Sequence, residues 1–130
     1  MGPILSDLDP AGDRPTRNEA DATTGREATK VRERLVRIQE QIKRTRANER
    51  VLVEQVTYLA DVAGDAETRK LVAETPLAER EWREARTDLD RHTALLDEAR
   101  REVAELLDER DRLLDRLSEL ETAPRLRDDE

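Results

Sequence analysis

The chain of 130 residues has no cysteine, no phenylalanine, one tryptophan and one tyrosine. The absence of cysteine excludes disulfides, thiolate metal sites and cysteine nucleophiles. Only 35% of the residues are hydrophobic and 43% are charged, which excludes the thick aromatic core of a compact globular domain of this length. No apolar run approaches the length of a membrane span. We therefore expect a cytoplasmic protein that does not bind membranes.

In place of a thick core, the chain has heptad periodicity. Residues 77–122 contain no Gly or Pro, and apolar side chains return every three or four residues. This is the pattern by which a coiled-coil helix places apolar side chains along one seam. The predicted seam of this second helix consists of Trp82, Ala85, Leu89, His92, Leu96, Ala99, Val103, Leu106, Arg110, Leu113, Leu117 and Leu120.

A similar seam predicts a first helix over residues 27–62. Gly64 predicts its end, because glycine is favoured just beyond a helix C-terminus. Thr75 and Pro76 predict the start of the second helix at residue 77, since Thr suits the N-cap and Pro the first helical position. Residues 63–76 would then form a tip that contains a short helical piece. The predicted first seam consists of Ala28, Val31, Leu35, Ile38, Ile42, Thr45, Glu49, Leu52, Val56, Leu59 and Ala63.

These patterns predict an all-α protein, an antiparallel two-helix coiled-coil hairpin at residues 26–122. A disordered acidic N-terminal arm is predicted at residues 1–25, because its prolines and glycines leave no periodicity. A charged tail is predicted at residues 123–130. Ile4, Leu5 and Leu8 form the one apolar cluster of the arm. That cluster is either a docking peptide or a solvated start of the arm, and its small apolar area favours the second interpretation.

The pairing register follows from the seams, because the numbers of facing residues in an antiparallel hairpin add to a constant. A sum of 141 places large residues opposite small ones in three layers, for example Ile42 opposite Ala99. It also places Glu49 opposite His92, which we interpret as a polar seam layer that fixes the register. Sums of 134 and 148, one heptad away, are sterically allowed. Eight basic and three acidic residues at 30–50, against nine basic and fifteen acidic at 77–122, favour the antiparallel orientation.

His92 is the first candidate for chemistry, because Asp88 lies one turn before it and Glu49 is predicted opposite. Two carboxylates and an imidazole are metal ligands. A fourth ligand and a cleft are missing, so the polar-layer interpretation is preferred. A single histidine without a neighbouring serine does not form a nucleophilic site. We therefore expect no catalytic residue, no metal and no cofactor, and we predict that the protein is not an enzyme.

The acidic residues of the predicted tip are the second candidate, and Asp61, Asp65 and Glu67 lie close together there. An acidic coiled-coil tip at the Gly64-Asp65 turn is similar to that of the transcript-cleavage and stringent-response factors, which insert such a tip into the secondary channel of RNA polymerase. The resemblance implies that the tip carboxylates help to hold a catalytic Mg²⁺ in the polymerase. It covers only the turn and the nearby acids, without the globular domain by which those factors dock.

A basic stripe is the third candidate, because Lys30, Arg37 and Arg44 recur every seven residues. Such a stripe is able to follow the phosphates of RNA. The net charge of −8 and the scarcity of aromatic side chains argue against this function. The acidic second helix would also neutralise the stripe, so nucleic acid is not expected as a partner.

Apolar residues outside the seams are the fourth candidate. Leu95 lies on one flank of the second seam and Leu107 and Leu114 lie on the other, while Val36, Val51, Val53 and Tyr58 lie off the first. An apolar stripe along a helix requires another surface to cover it. We therefore predict a non-enzymatic coiled-coil adaptor or scaffold, forming a homodimer, that binds a protein partner of unknown identity through its hairpin tip or outer leucine stripe. The alternative is a regulator that inserts the acidic tip into a channel of RNA polymerase or another large enzyme.

Overall fold

The structure is a computed structural model that describes residues 17–129, with side chains for residues 17–122. It contains two long helices, α1 (Arg17–Ala73) and α2 (Pro76–Asp129), packed against each other as a hairpin. The predicted all-α helical hairpin is therefore confirmed. The arm up to residue 16, with its Ile4, Leu5 and Leu8 cluster, and the side chains of the predicted tail lie outside the described residues.

The predicted start of the first helix at residue 27 is wrong, because α1 begins at Arg17. Residues 17–26 include polar residues that normally disfavour a helix interior. Thr23 and Thr24 satisfy their hydroxyls on the helix itself, donating to the carbonyls of Glu19 and Ala20 at 2.9 and 3.0 Å. Extending a helix that is already anchored by packing costs little, so the helix extends into the segment that was predicted to be disordered.

The predicted end of the first helix at Gly64 is also wrong, since α1 runs through this glycine to Ala73. The seam explains the continuation: Ala66 lies three residues after Ala63, and both are buried. A glycine inside a helix costs only about 1 kcal/mol relative to alanine. Packing of the additional turns outweighs that cost, so residues 63–73 belong to α1 and do not form a separate tip segment.

The chain reverses at Glu74 and Thr75. Glu74 has a φ of 52°, and its N–H donates to the carbonyl of Lys70 at 3.1 Å, as in helix ends with a left-handed last residue. Thr75 caps α2, because its hydroxyl accepts a hydrogen bond from the N–H of Ala78 at 3.1 Å. Pro76 occupies the first position of α2. The predicted roles of Thr75 and Pro76 at the start of the second helix are thus confirmed.

The register of the hairpin corresponds to a sum of about 148, one heptad from the predicted 141. Leu52 shares a cluster with Leu96, and Ala63 shares one with Ala85. The cause is the position of the reversal: a tight turn centred on Glu74 makes residues equidistant from it face each other. The predicted value of 141 rested instead on the matching of large with small residues and of Glu49 with His92.

Contacts divide the chain into two units, of which the first combines the part of α1 before Ile38 with the part of α2 from Arg110 onward. Its seam cluster consists of Ala28, Val31 and Leu120 with Leu35, Leu113 and Leu117 packed around them. Two cross-helix ion pairs flank it: Arg32 with Glu121 and Arg116 with Glu27, both at 2.7 Å. Hydrogen bonds to Glu27 and then to Glu119 raise the pKa of Arg116 above its ordinary value.

The second unit is Ile38–Glu109 and contains the reversal. Its core includes two small clusters. One contains Leu52, Leu96 and Ala99, and the other contains Ala63, Ala66 and Ala85. The alanines of the second cluster leave room for the indole of Trp82, which packs against them. Lys70 places its ammonium 3.7 Å from the centroid of the Trp82 ring, a cation–π contact that joins the last turns of α1 to the first turns of α2.

Candidate protein-interaction surface

The predicted polar layer of Glu49 and His92 is not formed, because the observed register displaces the two residues by one heptad. Glu49 instead lies 3.8 Å from Arg100. Nδ1 of His92 is 2.8 Å from the carbonyl of Asp88, and since a carbonyl only accepts, Nδ1 carries the proton. Both residues are half-buried on the seam. Within residues 17–122 the structure shows no group of three or more potential metal ligands.

The predicted acidic tip is not at the reversal. Asp61, Asp65 and Glu67 are exposed residues of the α1 body, before its last turn. Asp61 and Asp65 are one turn apart, whereas Glu67 points to a different side of the helix. The physical reason is the continuation of α1 through Gly64. The end of the hairpin presents Leu71, Val72 and Leu77, with Glu74 at the reversal itself.

The predicted outer leucines lie on both flanks of α2, as their spacing in the sequence indicates. Leu95 is exposed and Leu107 is half-buried, and their positions relative to the seam place them on opposite flanks of α2. Leu114 is exposed in the other unit. The basic stripe is exposed as well, at Lys30, Arg37 and Arg44.

One flank of the unit Ile38–Glu109 collects exposed apolar side chains. It is marked by the ion pair between Arg69 of α1 and Glu81 of α2, at 3.9 Å. Residues seven apart on a helix lie on one line, and residues three or four apart are neighbours. By this spacing, five exposed apolar side chains belong to the flank of Arg69 and Glu81, which we call the Arg69–Glu81 flank. They are Val51, Tyr58, Val72, Leu77 and Leu95, with exposed fractions from 43% to 81%.

Charge is divided unevenly across the Arg69–Glu81 flank. Between residues 41 and 62, α1 contributes Arg44 as its one charged side chain there, among Gln41, Asn48 and Gln55. Opposite this stretch, α2 contributes four acids and the base Arg91, which pairs with Asp88 at 2.8 Å. The acids are Asp88, Glu98, Glu102 and Glu105. In this stretch the flank therefore has a neutral to basic half on α1 and an acidic half on α2. Nearer the reversal, α1 adds Asp65 and Arg69 and α2 adds Glu81 and Glu84.

A shallow groove of about 330 Å³ lies at the end of this flank. Val72 and Leu77 form its apolar walls together with Ala73 and Ala78. Among the large apolar residues at 17–122, Val72 is the most exposed, at 81%. Such a groove next to the reversal offers a place for an apolar side chain of another molecule.

Sequence reasoning missed Val72 as a surface residue because residues 63–76 were interpreted as a separate tip, and it missed Leu77 because the second helix was predicted to begin there. The missed signal was the seam itself, which continues from Ala63 to Ala66 and Lys70 in steps of three and four. With that continuation, the flank is readable from the heptad spacing of Val51, Tyr58 and Val72. The exposure predicted for Val36, Val51, Val53 and Tyr58 is confirmed.

Comparison with protein-family models, with curated proteins and with solved structures finds no match. None of the described helices is long and apolar enough to cross a membrane.

Proposed function

We propose that the chain is a non-enzymatic, cytoplasmic coiled-coil adaptor or scaffold that binds another protein along the Arg69–Glu81 flank. The observation that carries the proposal is the distribution of exposed apolar side chains. Five of the nine large ones in the described residues lie on this flank. Single exposed apolar residues are common, but a set gathered on one face is typical of a surface that another protein covers.

The charges of the flank support a protein over a nucleic acid as the partner. Its α2 half is acidic and would repel phosphates. Arg44 is the one member of the basic stripe on this flank within Ile38–Glu109. A polar margin around apolar anchors is the usual composition of a protein–protein interface.

Affinity capture with the tagged full chain from its native extract tests the proposal. The flank variant is Tyr58→Glu with Leu95→Glu, which places two charges among the apolar anchors. The control variant is Val53→Glu with Leu71→Glu, which alters two exposed apolar residues on the other flank. We expect the flank variant to lose the captured protein, including any untagged copy of the chain, and the control to retain it. Equal capture by all three proteins would contradict the proposal.

Insertion of an acidic hairpin into the channel of RNA polymerase is the second proposal. It would depend on Asp61, Asp65 and Glu67, which lie along α1 and do not cluster at the reversal. The same capture with Asp61 and Glu67 changed to alanine separates the two functions, because both residues lie off the Arg69–Glu81 flank, whereas Asp65 lies on the line of Tyr58 and Val72. Loss of polymerase subunits with that variant alone would favour the channel regulator over the adaptor.

A further inference from the structure

We propose that the protein bound on the Arg69–Glu81 flank is a second copy of this chain, related by a twofold axis parallel to the helices. This inference rests on the proposed function, because it names the partner of the same surface. In this dimer the two Ile38–Glu109 units form a four-helix bundle with both reversals at the same end. The argument uses the charges of the flank, its register and the symmetry of a homodimer.

The two halves of the flank complement each other in charge. Arg44 on α1 is exposed and makes no ion pair within the part of the chain that the structure describes, and the same holds for Glu98 and Glu105 on α2. Arg44 and these acids are therefore available to a partner. Around Arg44 a second copy supplies the opposite charge to each half, so this part of the flank is self-complementary. Nearer the reversal the same arrangement brings Asp65 level with Glu84.

Symmetry then selects the axis. A twofold axis perpendicular to the helices places α1 on α1 and α2 on α2, which brings the acidic half of one copy against the acidic half of the other. A twofold axis parallel to the helices places each α1 on the α2 of the other copy. Like charges across an interface are unfavourable and opposite charges are favourable, so the flank selects the parallel axis.

The register supplies the matching positions. With a sum of about 148, Arg44 lies level with a point between Glu102 and Glu105. Under the parallel axis this brings Arg44 of one copy to those acids of the other. By the same rule Tyr58 comes level with Arg91, whose guanidinium is able to stack on the ring. Val72 comes level with Leu77, so the apolar groove next to the reversal is closed by the second copy.

Charge-reversal substitutions in the purified full chain test the proposal. The dissociation constant of the dimer is measured by sedimentation equilibrium. We expect wild type to dimerise, and Arg44→Glu or Glu105→Arg to weaken the dimer by about tenfold, because each change acts twice across a twofold interface. The double variant with both changes should recover most of the loss, since the attraction is restored with its signs exchanged. Lys43→Glu is the matched control, because it makes the same charge change on the neighbouring residue, which points to the other flank.

Three results would overturn the inference. The first is a wild type that stays monomeric at all concentrations. The second is a dimer weakened as much by Lys43→Glu as by Arg44→Glu. The third is a double variant that does not recover the dimer affinity. A monomeric wild type whose flank variant still loses a captured protein would overturn the second copy as partner and leave the proposed function intact. Full capture by the flank variant, together with a monomeric wild type, would contradict both the proposed function and the second copy as partner.

Discussion

At the scale of single residues, Glu74 is the least expected feature of the chain. Its φ of 52° lies in the left-handed region, which costs an L-amino acid about 1–2 kcal/mol relative to glycine. Glu74→Gly removes this cost while keeping the N–H that donates to Lys70. We expect the variant to be more stable by roughly 1 kcal/mol in chemical denaturation.

The control for this change is Glu67→Gly. Glu67 is also exposed but lies inside α1, where glycine costs about 1 kcal/mol because the unfolded chain gains freedom. The two substitutions should therefore shift the denaturation midpoint in opposite directions. Destabilisation by both would contradict the left-handed conformation of Glu74.

At the scale of the helices, Gly64 reports where α1 ends. An ideal Cβ built on Gly64 meets no atom within 4 Å, and its φ is not positive. Gly64→Ala should therefore stabilise the protein by about 0.5–1 kcal/mol, measured as an increase in the free energy of unfolding. If Gly64 ended the helix in a left-handed conformation, the same substitution would destabilise it.

Ala66 reports on the seam beyond Gly64. It is 1% exposed and packs with Ala63 and Ala85 beside Trp82. Ala66→Leu adds volume to a closed position and should lower stability by about 1–3 kcal/mol, seen in thermal unfolding and in the fluorescence of the single tryptophan. Ala47→Leu, at an exposed position of the same helix, is the control and should change stability little.

The helices also show what the sequence allowed one to predict. Seam residues such as Ile38, Ile42 and Leu96 are buried as expected, because heptad spacing alone determines which face of a helix packs. The register was not predictable in the same way, since the seams fit each other at every heptad. The position of the turn decides between these registers. In the sequence, Gly64 was a stronger signal for a helix end than Glu74, although Glu74, and not Gly64, adopts the left-handed conformation.

At the scale of the whole molecule, the net charge of −8 makes association sensitive to salt. Screening shortens from about 10 Å at 0.1 M ionic strength to about 3 Å at 1 M. The roughly tenfold difference in dissociation constant between wild type and Arg44→Glu should therefore shrink as salt increases, measured by sedimentation equilibrium, because salt screens the interaction of residue 44 with the acids of α2. A difference that stays the same at high salt would show that Arg44 does not act through its charge.

Stability of the folded chain should respond less to the same salt change. The cross-helix ion pairs are exposed, with Arg32 and Glu121 each about half accessible, and exposed pairs contribute only about 0.2–1 kcal/mol each.

The candidate surface was partly predictable from the sequence, because its apolar members lie off the two seams. Its members Val51, Tyr58 and Leu95 were identified as exposed off-seam residues, but their assembly on one flank depends on the register.

The measurement that tests this account most directly is therefore the register within Ile38–Glu109. Because the chain has no cysteine, spin labels are readily placed at Ala47 with Arg101 and at Ala47 with Ala94, all of which are exposed. Labelled chains are diluted with unlabelled ones so that distances within one chain dominate. The structure predicts the shorter distance for Ala47 with Arg101, because one heptad displaces Ala94 by about 10 Å along the helix. A shorter distance for Ala47 with Ala94 would show the other register, and the Arg69–Glu81 flank would not exist as described.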